Sequence, residues 1–125
     1  MANTSRFPGG FNNDNTSRII TNEVLNRTYA ASVAINAREA NTLVNVGQLT
    51  GALSLTIGTG STSSAPYIGD VVRFLFSADG TGRVVTFSTG FQSAGNLTVA
   101  ANKYGSASFM FNGATWVETG RTVTV

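Results

Sequence analysis

Short runs of alternating apolar and polar residues constrain the fold of this chain more than any other feature. In Leu53–Ile57 (LSLTI) the first, third and fifth residues are apolar, and Val72, Phe74 and Phe76 alternate in the same way in VVRFLF. Successive side chains of a strand point to opposite faces of a sheet, so this period of two predicts strands with one buried face. No helix of ordinary length is predicted.

Similar runs recur from about residue 28 to residue 125, separated by turns rich in Gly, Asn and Ser. They lie at Val33–Ile35, Thr42–Val46, Arg83–Ser88, Asn96–Ala101 and Arg121–Val125. Regularly spaced short strands with such turns are typical of a β-sandwich or barrel. We therefore predict one all-β domain over residues 28–125, a β-sandwich or jelly-roll-like barrel of about eight short strands.

The segment SFMFNGATWVE holds the only Trp of the chain. Asn-Gly suits a two-residue type I′ turn, which would join two strands in a hairpin and set Phe109 opposite Trp116. Phe109, Phe111, Ala114 and Trp116 would then share one face. We predict that these aromatic residues form half of a hydrophobic core. The alternative is an exposed aromatic platform for a sugar or a partner chain.

A second hairpin is predicted around the turn Asp79–Gly82. A four-residue loop sets Phe76 opposite Val85 and Phe74 opposite Phe87, whereas a two-residue Asp-Gly loop sets Phe76 opposite a charged residue. We favour the four-residue loop because the register of a strand pair follows its apolar face.

Residues 1–27 differ in composition from the rest. They are polar and Asn-rich, and neither period is sustained, although a short helical turn over Asn22–Leu25 is possible. We predict an extended N-terminal arm. Extended segments bind a sheet edge or a groove through main-chain hydrogen bonds and apolar pockets. The candidate contact residues for a neighbouring subunit are the apolar residues of the arm, namely Phe7, Phe11, Ile19 and Ile20.

The composition argues against catalysis and against a bound cofactor or metal. Cys and His are absent, which removes thiolate chemistry and the commonest general base and metal ligand. Asp70 and Asp79 lie at opposite ends of one predicted strand, roughly 30 Å apart, so they cannot act together on one bond. We predict a protein that is not an enzyme.

The charge pattern bears on partners. Only 11% of the residues are charged, against about 25% in an average protein. A surface this low in charge favours a homo-oligomer or a larger assembly. The basic residues form no cluster, so we predict no nucleic-acid partner, and no apolar run reaches membrane-spanning length, so we predict no membrane partner.

The stretch Gly69–Thr122 resembles a β-domain that recurs in structural proteins of tailed bacteriophages. The features that carry the resemblance are the Gly-Asp strand start, DGTGRVVTFSTGF and the terminal FNGATWVETGRT. The resemblance implies a capsid decoration (cement) protein, a head fibre or a tail component. Decoration proteins commonly form trimers on the capsid exterior.

From this resemblance we expect a virion protein that is assembled in the host cytoplasm and binds the major capsid protein through its arm and a β-domain edge. The leading alternative is a carbohydrate-binding β-sandwich that uses Tyr67, Tyr104 or Trp116 as a platform. A phage tail or fibre component differs from the first reading only in its place in the virion.

Overall fold

A computed structural model describes residues 21–60 and 66–125. Within these ranges the chain has ten strands in two sheets and no helix, which confirms the all-β prediction and gives a sandwich-like fold. The strands are β1 (Asn22–Arg27), β2 (Ser32–Ile35), β3 (Asn41–Val46), β4 (Leu53–Ile57), β5 (Val71–Ser77), β6 (Arg83–Phe87), β7 (Phe91–Gln92), β8 (Leu97–Val99), β9 (Tyr104–Phe111) and β10 (Trp116–Thr122).

The first six strands wind as a coil between the two sheets. The larger sheet has the order β1-β3-β5-β9-β10-β7, and the smaller sheet has the order β2-β4-β6-β8. Odd-numbered strands up to β5 lie in the larger sheet and even-numbered strands up to β6 in the smaller one, and each pairs with its neighbour in parallel. The coil therefore has three rungs, each with one strand in each sheet.

The rungs differ in length. Asn22 pairs with Asn41, nineteen residues later, whereas Asn41 pairs with Val71, thirty residues later. The strands of the coil therefore recur at no fixed period along the sequence.

Antiparallel pairing completes both sheets. β9 lies between β5 and β10 and is antiparallel to both, and β8 is antiparallel to β6. The two-residue β7 pairs in parallel with β10. Beyond the end of β10, Tyr104 and Val125 exchange two backbone hydrogen bonds of 2.9 Å.

The core lies between the sheets and is rich in aromatic rings. Phe74 of the larger sheet contacts Phe87 of the smaller sheet edge-on, with ring centroids 6.2 Å apart, and contacts Phe109 at 5.9 Å. Edge-to-face pairs of this kind contribute about 0.5–1.5 kcal/mol beyond the burial of their area. The aliphatic part of the core comes from the alternating inner residues of each strand, such as Leu53, Leu55 and Ile57.

The predicted hairpin around Asp79–Gly82 is wrong. β5 and β6 belong to different sheets, so this turn carries the chain across the sandwich instead of joining paired strands. The apolar faces of β5 and β6 do meet, but through the core, as the contact between Phe74 and Phe87 shows. The alternation of apolar residues in β5 and β6 fits two neighbouring strands of one sheet as well as it fits two strands that pack face to face from different sheets.

The predicted two-residue loop of the other hairpin is also wrong. The loop has four residues, Asn112–Thr115, and Asn112 N–H donates to the Thr115 carbonyl oxygen at 3.1 Å. The Asn112 side-chain oxygen accepts hydrogen bonds from Ala114 N–H and Thr115 N–H, both at 2.9 Å. Gly113 has a positive φ of 103° but Asn112 does not, so a type I′ turn is excluded.

The longer loop shifts the register by two residues. Trp116 lies opposite Phe111, and Glu118 lies opposite Phe109, where Trp116 was expected. A shift of two leaves the three aromatic residues on the buried face, because side chains alternate with period two. The exposed Ala114 lies in the loop and not on that face. The second hairpin strand continues to Thr122 as β10, so only Arg121 and Thr122 of the predicted final strand over residues 121–125 belong to a strand.

The last six residues assigned to the arm, Asn22–Arg27, form strand β1 of the larger sheet, and the predicted helical turn there is wrong. β1 pairs with β3 over its whole length, and this pairing supplies the order that the weak local pattern does not indicate. The four apolar arm residues Phe7, Phe11, Ile19 and Ile20 lie outside the described residues.

Candidate interaction surface

Within residues 21–60 and 66–125, no three acidic residues approach one another closely enough to hold a metal ion. Asp70 and Asp79 flank β5 at its two ends, as the strand pattern predicted. Asp70 is buried, and its carboxylate accepts a hydrogen bond from Tyr67 N–H at 3.0 Å. The carboxylates thus serve turns and strand ends.

Asp79 and Arg83 stabilise the crossing between the sheets. The Arg83 guanidinium donates two hydrogen bonds of 2.8 Å, one to each carboxylate oxygen of Asp79, and Thr81 N–H donates to the same carboxylate at 3.2 Å. The hydrogen bond from Arg83 lowers the pKa of Asp79, and the reciprocal contact raises the pKa of Arg83. The pair fixes the turn geometry and engages both carboxylate oxygens of Asp79.

Glu118 and Arg121 form a polar clasp at the edge where β10 meets the β7–β8 loop. Arg121 Nε lies 2.6 Å from one oxygen of Glu118, and Arg121 also donates to the carbonyl oxygens of Gly95 at 2.8 Å and Asn96 at 3.0 Å. Ala94 N–H donates to Glu118 at 2.8 Å. Since this loop leads from the larger sheet to the smaller, the clasp closes one side of the sandwich. The hydrogen bond from Arg121 lowers the pKa of Glu118.

Sequence reasoning missed this clasp. In a regular strand, residues three apart point to opposite faces, so Glu118 and Arg121 were not expected to meet. The ladder is irregular between Glu118 and Gly120, and this bulge brings both side chains to the same side. Gly120 inside a strand was the available signal, since glycine there often marks a bulge.

The aromatic hairpin belongs to the core. Trp116 and Phe109 are both 0% exposed, and Phe111 is buried against Trp116 with ring centroids 5.2 Å apart. The indole N–H of Trp116 donates to the Gly58 carbonyl oxygen at 3.0 Å, which ties the larger sheet to the end of β4 in the smaller sheet. Trp116 therefore cannot serve as an exposed platform for a sugar.

The other two candidate platform residues are exposed but lie far apart. Tyr67 comes just before β5, near the loop of the β9–β10 hairpin, whereas Tyr104 pairs with Ser77 at the other end of β5. The length of β5 separates them by about 20 Å at 3.3 Å per residue. They cannot stack on the same sugar ring.

The outer faces of both sheets are almost free of charge. On the larger sheet, Arg73 is the single charged residue among the strand positions that point away from the core. The other outward strand positions there are uncharged and include Asn22, Val24, Asn26, Asn41, Leu43, Asn45, Val71, Leu75, Ser77, Gln92, Tyr104, Ser106, Ser108, Met110, Val117, Gly120 and Thr122. On the smaller sheet they are Ser32, Ala34, Ser54, Thr56, Val84, Thr86 and Thr98.

Apolar side chains form rows across the outer face of the larger sheet. Val71, Met110 and Val117 lie opposite one another on three successive strands, and Val24 lies opposite Leu43. The polar positions between them are mostly amides and hydroxyls, including a hydrogen bond of 3.2 Å from Asn45 Nδ2 to Asn26 Oδ1. A face with apolar rows, amides and one charge is suited to contact with another protein surface.

No protein-family model matches the chain, and no curated protein is similar to it in sequence. Across the described ranges, the chain contains no helix with the length and apolarity that crossing a membrane requires.

Proposed function

We propose that this protein is a non-enzymatic structural protein of a bacteriophage virion, which decorates the exterior of the capsid and stabilises it. The resemblance of Gly69–Thr122 to β-domains of phage structural proteins supports the proposal. The observation that carries it is the near absence of charge on both outer faces, where Arg73 is the single exception among the described strand positions. A small domain that must stay soluble on its own is best served by a surface with about 25–35% charged residues.

The proposed partners are the major capsid protein and other copies of this chain. We place the capsid contact on the N-terminal arm and on an edge of the β domain, with Phe7, Phe11, Ile19 and Ile20 as the apolar contacts of the arm. The trimer that the resemblance implies is part of this proposal. A β domain with nearly neutral outer faces, together with the proposed arm, suits a protein that must fit between neighbouring capsid subunits.

The carbohydrate-binding alternative loses most of its support. Its best platform residue, Trp116, is buried, and the two exposed tyrosines are at opposite ends of β5. A phage tail or fibre component is the second alternative, and binding to capsids or to tails decides between them.

The test is to mix the purified full-length protein with capsids that lack it. We expect saturable binding and a higher temperature of capsid disruption. Phe7→Ser/Phe11→Ser should weaken binding, whereas the matched control Asn12→Ser/Asn13→Ser should bind as the wild type does. Failure of the wild-type protein to bind any such capsid, together with binding to tails or to glycans, would overturn the proposal.

A further inference from the structure

Strand β1 presents an open edge. The carbonyl oxygens of Thr21 and Arg27 accept hydrogen bonds from Asn41 N–H at 3.1 Å and Gly47 N–H at 2.7 Å, so the odd-numbered residues of this segment point their backbone groups at β3. The N–H and C=O groups of Asn22, Val24 and Asn26 consequently point away from the sheet. No described strand pairs with that side of β1.

This edge has few of the usual protections against pairing. Protein edges are commonly blunted by shortness, by Lys or Pro, by a bulge or by inward-pointing charges, and β1 carries only the last of these, in Glu23 and Arg27. The other edges of the sandwich are short, since β7 has two residues, β8 three and β2 four. β1 has six residues in regular register with β3, contains no Lys or Pro, and leaves Val24 59% exposed.

The charges of β1 are placed symmetrically. Glu23 and Arg27 lie two residues before and two residues after Leu25, so two antiparallel copies of the strand can set opposite charges against each other. Glu23, Leu25 and Arg27 all point to the inner side of the sheet and are half-buried. From the described residues, Glu23 accepts two long hydrogen bonds, at 3.4 Å from Thr42 Oγ1 and 3.5 Å from Arg38 N–H. Arg27 forms no ion pair with a carboxylate of the described residues, unlike Arg83 and Arg121, which pair with Asp79 and Glu118.

We propose that β1 pairs antiparallel with β1 of a second copy of this chain, about a two-fold axis through Leu25. In this register Leu25 lies opposite Leu25 of the second copy, and each Glu23 lies opposite Arg27 of the other copy. Each Val24 lies opposite Asn26 of the other copy, and their outward backbone groups form the hydrogen-bonded pairs of the ladder. The charged residues occupy the non-hydrogen-bonded positions, where opposite side chains come closer.

The charges also select this register over its neighbour. A two-fold axis through Val24 would preserve the backbone hydrogen bonds but place Glu23 opposite Leu25, which leaves the carboxylate without its cation. Shifts by one residue would place inner side chains opposite outer ones. The contact is isologous, so it closes at two copies and cannot itself build the trimer of the proposed function, which would need another surface. It does not depend on the proposed virion role and would be present in the free protein.

A single-cysteine experiment locates the contact, because the chain has no Cys of its own. We expect Leu25→Cys to form a disulfide-linked dimer on mild oxidation, since non-hydrogen-bonded cross-strand pairs have the spacing that disulfides need. Ser108→Cys, on the outer face of the same sheet, is the matched control and should stay largely unlinked. Equal crosslinking of the two variants, or none at position 25, would overturn the proposal.

A charge exchange tests the register by sedimentation of the wild type and three variants. Glu23→Arg and Arg27→Glu should each weaken dimerisation by about tenfold or more, since each change sets like charges opposite one another twice. The double variant Glu23→Arg/Arg27→Glu should recover most of the wild-type affinity. A monomeric wild type at all accessible concentrations, or a double variant as weak as the single ones, would overturn the proposal. Circular dichroism of each variant checks that the fold is kept.

Discussion

Trp116 supplies the sharpest test of how the two sheets are held together. The side chain is fully buried against Phe111, and its indole N–H donates to Gly58 across the sandwich. Trp116→Ala removes both contributions and should lower the free energy of unfolding by about 3–5 kcal/mol. This is a large share of the roughly 5–15 kcal/mol that stabilises a typical domain.

Trp116→Phe separates the two contributions. Phenylalanine retains much of the apolar packing but leaves the Gly58 carbonyl oxygen without its donor. An unsatisfied acceptor costs about 1–3 kcal/mol when it is buried, and Gly58 is half-buried, so the cost should lie near the lower end of that range and this variant should fall between the wild type and Trp116→Ala. The expected order of stability is therefore wild type, Trp116→Phe, Trp116→Ala.

The assay is urea unfolding followed by far-ultraviolet circular dichroism, because tryptophan fluorescence is lost in both variants. Tyr104→Ala is the control for truncation of an exposed aromatic residue and should change stability by less than about 0.5 kcal/mol. If Trp116→Ala unfolds at the same urea concentration as the wild type, the indole does not join the sheets as described. If Trp116→Ala is destabilised but Trp116→Phe is as stable as the wild type, the packing of the indole is supported and the contribution of its hydrogen bond to Gly58 is refuted.

Two further predictions concern a glycine and a carboxylate. Gly90 has a positive φ of 94°, and a Cβ there would lie 2.1 Å from the Ile57 carbonyl oxygen, so Gly90→Ala should destabilise the protein by about 2 kcal/mol or more in thermal unfolding. Gly80→Ala, where nothing lies within 4 Å, should have little effect, and equal losses would contradict the close approach. The hydrogen bond from Arg121 lowers the pKa of Glu118. The ionised Glu118 therefore contributes its full stabilisation above the ordinary pKa of 4.5, and this stabilisation is lost as the pH falls through the lowered pKa. Glu118→Gln should therefore flatten the acid limb of the plot of unfolding free energy against pH, and an unchanged slope would show that the clasp does not titrate with folding.

The sequence predicted the individual strands better than their partners. LSLTI became β4 with the expected alternation of buried and half-buried residues, because period two reports directly which side chains face the core. Strand pairing depends on where the chain goes between strands. The apolar pattern of β5 and β6 fitted a hairpin, yet the turn between them crosses to the other sheet.

The missed features share a physical cause. β1 has few apolar residues, and its order comes from pairing with β3, which its own sequence does not reveal. The clasp of Glu118 and Arg121 depends on a bulge that changes the alternation of β10. The position of Trp116 on the buried face could be predicted because a register shift of two preserves the face, although it changes the opposing residue.

The coil also governs the order in which this protein becomes ordered during synthesis. β1 leaves the ribosome before β3, and β2 before β4, although these later strands are their sheet neighbours in the described structure. The strands of the first rung, β1 and β2, therefore remain unpaired until β3 and β4 of the second rung have been synthesised. By contrast, β9 and β10 are joined by a short loop and can pair as soon as both are available. Because the pairings of the coil are all non-local, the first rung should be the slow part of folding and the C-terminal hairpin the fast part.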